Sequence, residues 1–417
     1  MKTIHLLALV IISLLPWRYL SAAPAGASSN SPSKCLSCHL EVETEDGLAH
    51  QFERDTHRQH GLDCSDCHGG DRNLDDMDAV RKGAGYRGVP KHLDIPTFCA
   101  RCHADANYMH EHNPSLPVDQ LEKYQTSVHG HRLKEQKDVK VATCVSCHTS
   151  HAIGNAKTPF SSTYPANIPK TCGKCHSDSS YMAGYGIPTD QEKLFETSVH
   201  GNALMKKGDL GAPACNSCHG NHGAAPPGVA SLDAVCGMCH AIEARLFDIS
   251  AHSRAFKDQG LPLCVTCHSN HGIEKPSDSI IGLAAGQLCA NCHNDDQSKA
   301  SGEIKAISSQ LNDLSSAISL ASITLKDAGD KGMMTTDEEF SLKEADQTRV
   351  QARSSIHAAA VDSLIPLAKD GLAKSKSVKE KADGLIHEYH FRRFGLGISS
   401  IIITLLALAL YLKIRKL

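Results

Sequence analysis

Residues 215–219 read Cys215-Asn216-Ser217-Cys218-His219, and the rest of the chain is read outward from them. The pattern Cys-x-x-Cys-His recurs eight more times, beginning at Cys35, Cys64, Cys99, Cys144, Cys172, Cys236, Cys264 and Cys289. The nine copies use all 18 cysteines of the 417 residues. Structural zinc would need four ligands drawn from two such clusters and gives no reason for a histidine directly after every second cysteine. A disulfide framework also uses an even cysteine count, but it needs no histidine. Two thiols two residues apart followed at once by histidine are the attachment signature of c-type haem, in which the thiols form thioethers and the imidazole becomes the proximal iron ligand. The expectation is nine covalently attached haem c groups. Cys35, Cys38, Cys64, Cys67, Cys99, Cys102, Cys144, Cys147, Cys172, Cys175, Cys215, Cys218, Cys236, Cys239, Cys264, Cys267, Cys289 and Cys292 carry them, with His39, His68, His103, His148, His176, His219, His240, His268 and His293 on the irons.

Composition agrees. Aromatic residues are only 5% of the chain, and the single tryptophan, Trp17, lies in a segment read as removable, so large core-filling side chains are scarce. Between Cys35 and His293 there are about 29 residues per motif, so the porphyrins must supply much of the core and the polypeptide wraps them. A formal charge of -3 and a pI near 6.8 give no push towards nucleic acid.

Residues 1–27 read as a secretory signal: Lys2, an apolar run from Ile4 to Leu15, then small residues around Ala23-Pro24-Ala25. Residues 28–34 are a polar linker. The 28–300 region is expected to be a haem domain of short helices joined by Gly- and Pro-rich loops, with no sustained strand alternation. The Asp-rich stretch 71–78 lacks the spacing of a calcium loop and reads as a solvated face.

Within this region residues 102–130 and 175–201 share Cys-His, Asp, Tyr-Met, Pro-x-Asp-Gln and Thr-Ser-Val-His-Gly in the same order, which implies stacked units contacting their neighbours. One opening motif at Cys35 is followed by four two-motif units. Each unit starts with a histidine (His57, His129, His200 or His252), and the last three add another, His151, His222 or His271, three residues after a proximal one. These seven are the candidate distal ligands, with His60 competing with His57. For the two haems left over, His50, His92, His110, His112 and His357 compete. Met109 and Met182 could ligate, or pack against porphyrin. An iron closed on both faces transfers electrons, whereas an open position admits substrate.

Residues 301–390 lack the motif and show a helical period at Ile304, Ile307, Leu311, Leu314 and Ile318, a break from Gly329 to Gly332, and a restart at Thr336 with Glu339 as a capping box. Pro366 and Gly371 are expected to bend the next helix. The reading is a helical hairpin or small bundle packed on the haem region, in which Arg349, Arg353 and His357, spaced by four, offer guanidiniums to propionates and an imidazole to iron. Residues 391–417 read as a C-terminal transmembrane anchor: 395–412 is uncharged, Arg392 and Arg393 precede it, and Lys413, Arg415 and Lys416 follow. The expected fold is therefore mainly α with much irregular loop: a multihaem core, a helical hairpin and a single membrane helix.

The paired motifs with Cys-His-x-x-His, the Ser-Val-His-Gly segments and the terminal hairpin plus anchor resemble membrane-anchored multihaem cytochromes c of anaerobic respiratory chains. That resemblance implies an electron carrier on the periplasmic side of the bacterial inner membrane. It would work between a membrane, quinol-linked partner and periplasmic or outer-membrane cytochromes, without nucleic acid and without a substrate of its own. The alternative is an oxidoreductase with one open haem, of the nitrite or hydroxylamine type. The Cys-x-x-Cys-Lys motif of multihaem nitrite reductases does not occur here.

Overall fold

The computed structural model describes residues 33–82, 85–227 and 232–416, so the signal reading lies outside the described residues. Helices and loops make up the described chain, with no strand among its residues. It gathers into two compact units. One takes the described residues up to Leu121 together with Val139–Ser162; the other takes Glu122–Asp138 and everything from Thr163 onward. Residues 301–390 thus belong to the second unit.

Two kinds of short helix carry the motifs. The first motif of a unit is itself a five-residue helix: Cys64–His68, Cys144–His148 and Cys215–His219. The residue between the cysteines explains why so short a helix starts where it does. Asp66 accepts a hydrogen bond from the Asp63 backbone N–H at 2.6 Å, Ser146 from Thr143 at 3.0 Å and Ser217 from Ala214 at 3.1 Å, each satisfying a donor at the helix start. Each helix then stops at a residue with positive φ directly after the proximal histidine: Gly69, Thr149 or Gly220. Second motifs ride at the end of nine-residue helices, Ile95–His103 and Ile168–His176, in which a proline fixes the first turn.

Three long helices follow. The outgoing helix, Lys299–Asp330, ends before Gly332 at φ +80°, and the returning helix, Thr336–Ser355, runs back along it. The C-terminal helix, Val361–Arg415, has 55 residues. Ile307, Leu311 and Leu314 cluster with Leu364 and Ala368, and further on Ala321 and Leu325 cluster with Val378 and Ala382. The outgoing and C-terminal helices therefore run parallel in constant register, with the returning helix antiparallel between their ends. Two expectations need correction. Thr335, not Thr336, stands at the cap, its hydroxyl bonded to Glu339 at 2.7 Å. The helix continues without a break at Pro366, where Leu364 and Ala368 on either side are buried against the outgoing helix.

Candidate haem-binding sites

The histidines that open each unit sit two residues after a capping side chain. Ser127 accepts from the Gly130 N–H at 2.9 Å and donates to the Tyr124 carbonyl at 2.6 Å; Ser198 does the same with Gly201 and Phe195 at 3.0 and 2.6 Å. Ser250 caps the segment of His252, and Asp55 that of His57. The glycine after the histidine is required by space, since a Cβ there would lie 1.9 Å from the Tyr124 or Phe195 carbonyl oxygen. The residue between cap and histidine then donates to the segment that follows another histidine: Thr56 to the Ile153 carbonyl at 2.8 Å, Val128 to Ala224 at 3.1 Å, and Val199 to Ile273 at 2.8 Å.

The outcome is a set of paired imidazoles. Ring centres lie 5.9 Å apart in His57–His103, 6.1 Å in His129–His176, 6.2 Å in His200–His240 and 5.9 Å in His252–His293. They lie 6.1 Å apart in His68–His151, 5.9 Å in His219–His271 and 6.0 Å in His268–His357. Two imidazoles binding one metal ion from opposite sides, each through a nitrogen at about 2.0–2.1 Å, have centres roughly 6 Å apart once the radius of each ring is added. The spacing therefore fits an iron between each pair. The capped histidine of a unit always faces the second motif of its own unit, and those ring planes cross at 77°, 60°, 39° and 66°. The other partner comes from farther along the chain, and those planes are nearly parallel at 16°, 9° and 23°.

His357 fits this register. His68 and His219 are each faced by the Cys-His-x-x-His histidine of the following unit; His268, in the last unit, is faced by the helical bundle instead. The bundle stands where a further repeat would stand, which is how a repeat array is closed. Arg349 and Arg353 do not share one helix with His357, because the helix ends at Ser355 and a 3₁₀ turn, Ile356–Ala358, carries His357. Arg353 instead clamps Asp278 through two bonds of 2.6 and 2.7 Å, and Ser315 adds a third at 2.5 Å. Arg349 pairs with Asp346.

Several rings are turned so that Nε2 is left for the facing ring, because Nδ1 is already engaged. His68 Nδ1 donates to the Gly88 carbonyl at 2.9 Å, His219 to Ala225 at 3.1 Å and His357 to Ser354 at 3.0 Å; His57 Nδ1 bonds Asp55 at 2.9 Å. Burial, then the facing imidazole, lowers the pKa of His129, His151, His200, His252, His268 and His271, so these rings are neutral near pH 7, the state that binds a metal. Among the described residues no group of three or more His, Cys, Asp or Glu converges on a metal site, so the imidazoles come in twos.

Neighbouring motifs also touch. In the first compact unit burial and the Asp63 and Cys35 groups push the Cys64 thiol up to about 12, burial and then Cys102 raise Cys67, and Cys99 bonds the Cys144 thiol. In the second, Cys172 bonds Cys215, burial and then Cys239 raise Cys218, His240 lies beside His268, and burial and then Cys289 and Cys292 raise Cys267. Within each unit the motifs follow one another in sequence order.

Of the remaining candidates, His60 is exposed at the end of a short helix, His92 bonds the Val141 carbonyl at 2.9 Å, and His112 stacks on Tyr108 at 4.0 Å. His50 is half-buried near Glu43, and His110 is exposed. His222 is half-buried in the turn after Cys215–His219. Met109 and Met182 are 5% and 8% exposed and pack. The capping residues Asp55, Ser127, Ser198 and Ser250 and the clamp residue Asp278 are not among the expected site residues. A constant spacing of two before the histidine was the legible signal for the caps.

The family described as the doubled CXXCH motif matches at residues 137–180 and 252–298. No curated protein matches the chain. The doubled motif points to covalently bound haem c, and with it to a multihaem c-type cytochrome in electron transfer.

Proposed function

We propose that the chain is a nonahaem cytochrome c, tethered by its C-terminal helix to the periplasmic side of the bacterial inner membrane. It passes electrons between a quinol-linked membrane partner and periplasmic or outer-membrane cytochromes. The observation that carries this is the set of seven imidazole pairs at 5.9–6.2 Å. When bound, haem c supplies one-electron chemistry at an iron closed on both faces. The polypeptide's part is to hold each proximal imidazole on a short capped helix, to bring a neutral imidazole to the other face, and to set motifs side by side. The C-terminal helix is long and apolar enough to cross a membrane, and every described residue from Phe391 onward is exposed. The mass of the mature protein tests the count: it should exceed the processed polypeptide by nine haem masses that denaturation does not release. A fully matured protein carrying seven or fewer would sink the proposal.

A second reading, an oxidoreductase with one open iron, has support at one position. Among the described residues no imidazole ring faces His39, whose side chain is 51% exposed and bonded through Nδ1 to Glu43 at 2.6 Å. The slot three residues after a proximal histidine supplies the partner of the preceding first motif elsewhere, but after His68 it holds Asp71. Carbon monoxide should then bind one ferrous iron, and Asp71→His should abolish that binding. A wild-type spectrum indifferent to carbon monoxide ends this reading and leaves the carrier intact.

A further inference from the structure

The three long helices do more than close the repeat array. The ties between this bundle and the motif-bearing part of its unit gather at one end. Lys305 pairs with Asp296 at 3.1 Å, Ser308 bonds the Ile281 carbonyl at 2.9 Å, Ser315 and Arg353 hold Asp278, Ser354 bonds Glu243 at 2.7 Å, and His357 faces His268. In the register of the parallel helices these positions lie level with residues 361–372 of the C-terminal helix. Beyond them the helices pack on one another: Ala321, Leu325, Val378 and Ala382 with Leu342. The outgoing helix ends at Asp330, level with His387, and the described residues of the C-terminal helix are exposed from Phe391 onward, just before the uncharged run at 395. Two independent boundaries, the end of the bundle and the start of the apolar run, therefore fall within about two helical turns.

A continuous helix rises 1.5 Å per residue, so Val361 and Phe391 are separated by about 45 Å along the axis, and the helix from the level of the last tie, residue 372, to Phe391 is about 28 Å long. We infer that the bundle is a stalk holding the imidazole pairs of its own compact unit, His268–His357 first among them, off the bilayer, so that the partner on the membrane side is a redox protein with its own centre displaced from the membrane, not a quinol acting directly on this chain. The inference rests on the anchored-carrier reading. Electron tunnelling decays exponentially with distance, and a helical stalk without redox groups offers no intermediate stop. Oxidation of one quinol to quinone releases two electrons and two protons. The partner takes both electrons and frees the protons at the membrane, then passes the electrons on to this chain one at a time.

The full-length holoprotein in lipid bilayers decides this by two measurements. Neutron reflectometry on a supported bilayer should show a thin protein layer about 28 Å deep between the lipid headgroups and the motif-bearing part of the second compact unit. A head resting on the headgroups overturns the inference. In vesicles containing this chain alone, a membrane-confined quinol should give no loss of the oxidised spectrum within the time a soluble reductant takes to reduce every iron. Reduction by quinol as fast as by the soluble reagent also overturns it. A protein removed from the vesicles by alkaline carbonate shows that the anchor reading itself has failed, and irons that the soluble reagent does not reduce show that the carrier reading has.

Discussion

His357 stands on a single turn in a segment without any Cys-x-x-Cys-His motif, yet its ring centre is 6.0 Å from that of His268. His357→Ala should leave Cys264 and Cys267 covalently loaded while creating one high-spin iron that binds carbon monoxide; a spectrum identical to the parent's rejects the ligand role. Asp278 ties down the helix that leads into this turn through Arg353. Burial alone would raise its carboxyl, but bonds from Arg353 and Ser315 outweigh burial and hold the pKa below the ordinary carboxylate range. A lowered native pKa means that the stabilisation is complete above about pH 4 and is lost as pH falls through the native value. Asp278→Asn should therefore cost about 1–2 kcal/mol in urea unfolding near pH 7, the low end for a clamp whose arginine is a third exposed. The gap from wild type should close below about pH 4, and a gap independent of pH removes the charge from the account. Imidazole identity was legible here because cysteine spacing marks each proximal ring, Ser-Val-His-Gly marks His129 and His200, and the Cys-His-x-x-His spacing marks His151 and His271. Asp278 was not, since its arginine is 75 residues away and nothing local announces the pair.

Helix periodicity carried the outgoing helix because Ile307, Leu311 and Leu314 form one buried stripe. It failed at Pro366, where local propensity predicts a bend and burial on both sides keeps the helix intact. At Gly371 the three helices meet. A Cβ there would meet Leu314 Cδ1 at 2.9 Å and the Thr348 Cβ at 3.4 Å, whereas one at Gly384 meets nothing within 4 Å. The two glycines should respond with opposite sign. Gly371→Leu overpacks the bundle and should lose about 1–2 kcal/mol net of its better helix propensity, while Gly384→Ala should gain about 0.5–1 kcal/mol. Urea unfolding of the two variants measures both, and equal signs would show that the helices do not meet at Gly371.

At the scale of the whole chain, residues beyond the bundle contribute no described packing, since Phe391 to Lys416 are exposed throughout. A chain ending at residue 394 should therefore be water-soluble and still fully pigmented, with urea unfolding unchanged within about 0.5 kcal/mol. Loss of haem from that form would make the tail part of the fold. The division into four repeats was readable from histidine spacing. The division into two compact units was not, because it cuts through a repeat and depends on which loops meet.

The crossed and parallel imidazole pairs have a magnetic consequence. Parallel rings lift the degeneracy of the iron orbitals that bond to both, and crossed rings leave them closely spaced, so ferric irons of the two kinds give different electron paramagnetic resonance envelopes. The fully oxidised protein should show two low-spin populations, with His57, His129, His200 and His252 serving the crossed one and His151, His271 and His357 the parallel one. Along the second unit, from His176 to His293, the two kinds run crossed, parallel, crossed, parallel, crossed. His271→Ala should subtract signal from the parallel envelope alone. The repeat should thus be readable in the magnetism of the second unit, where one kind of imidazole pair alternates with the other along the sequence.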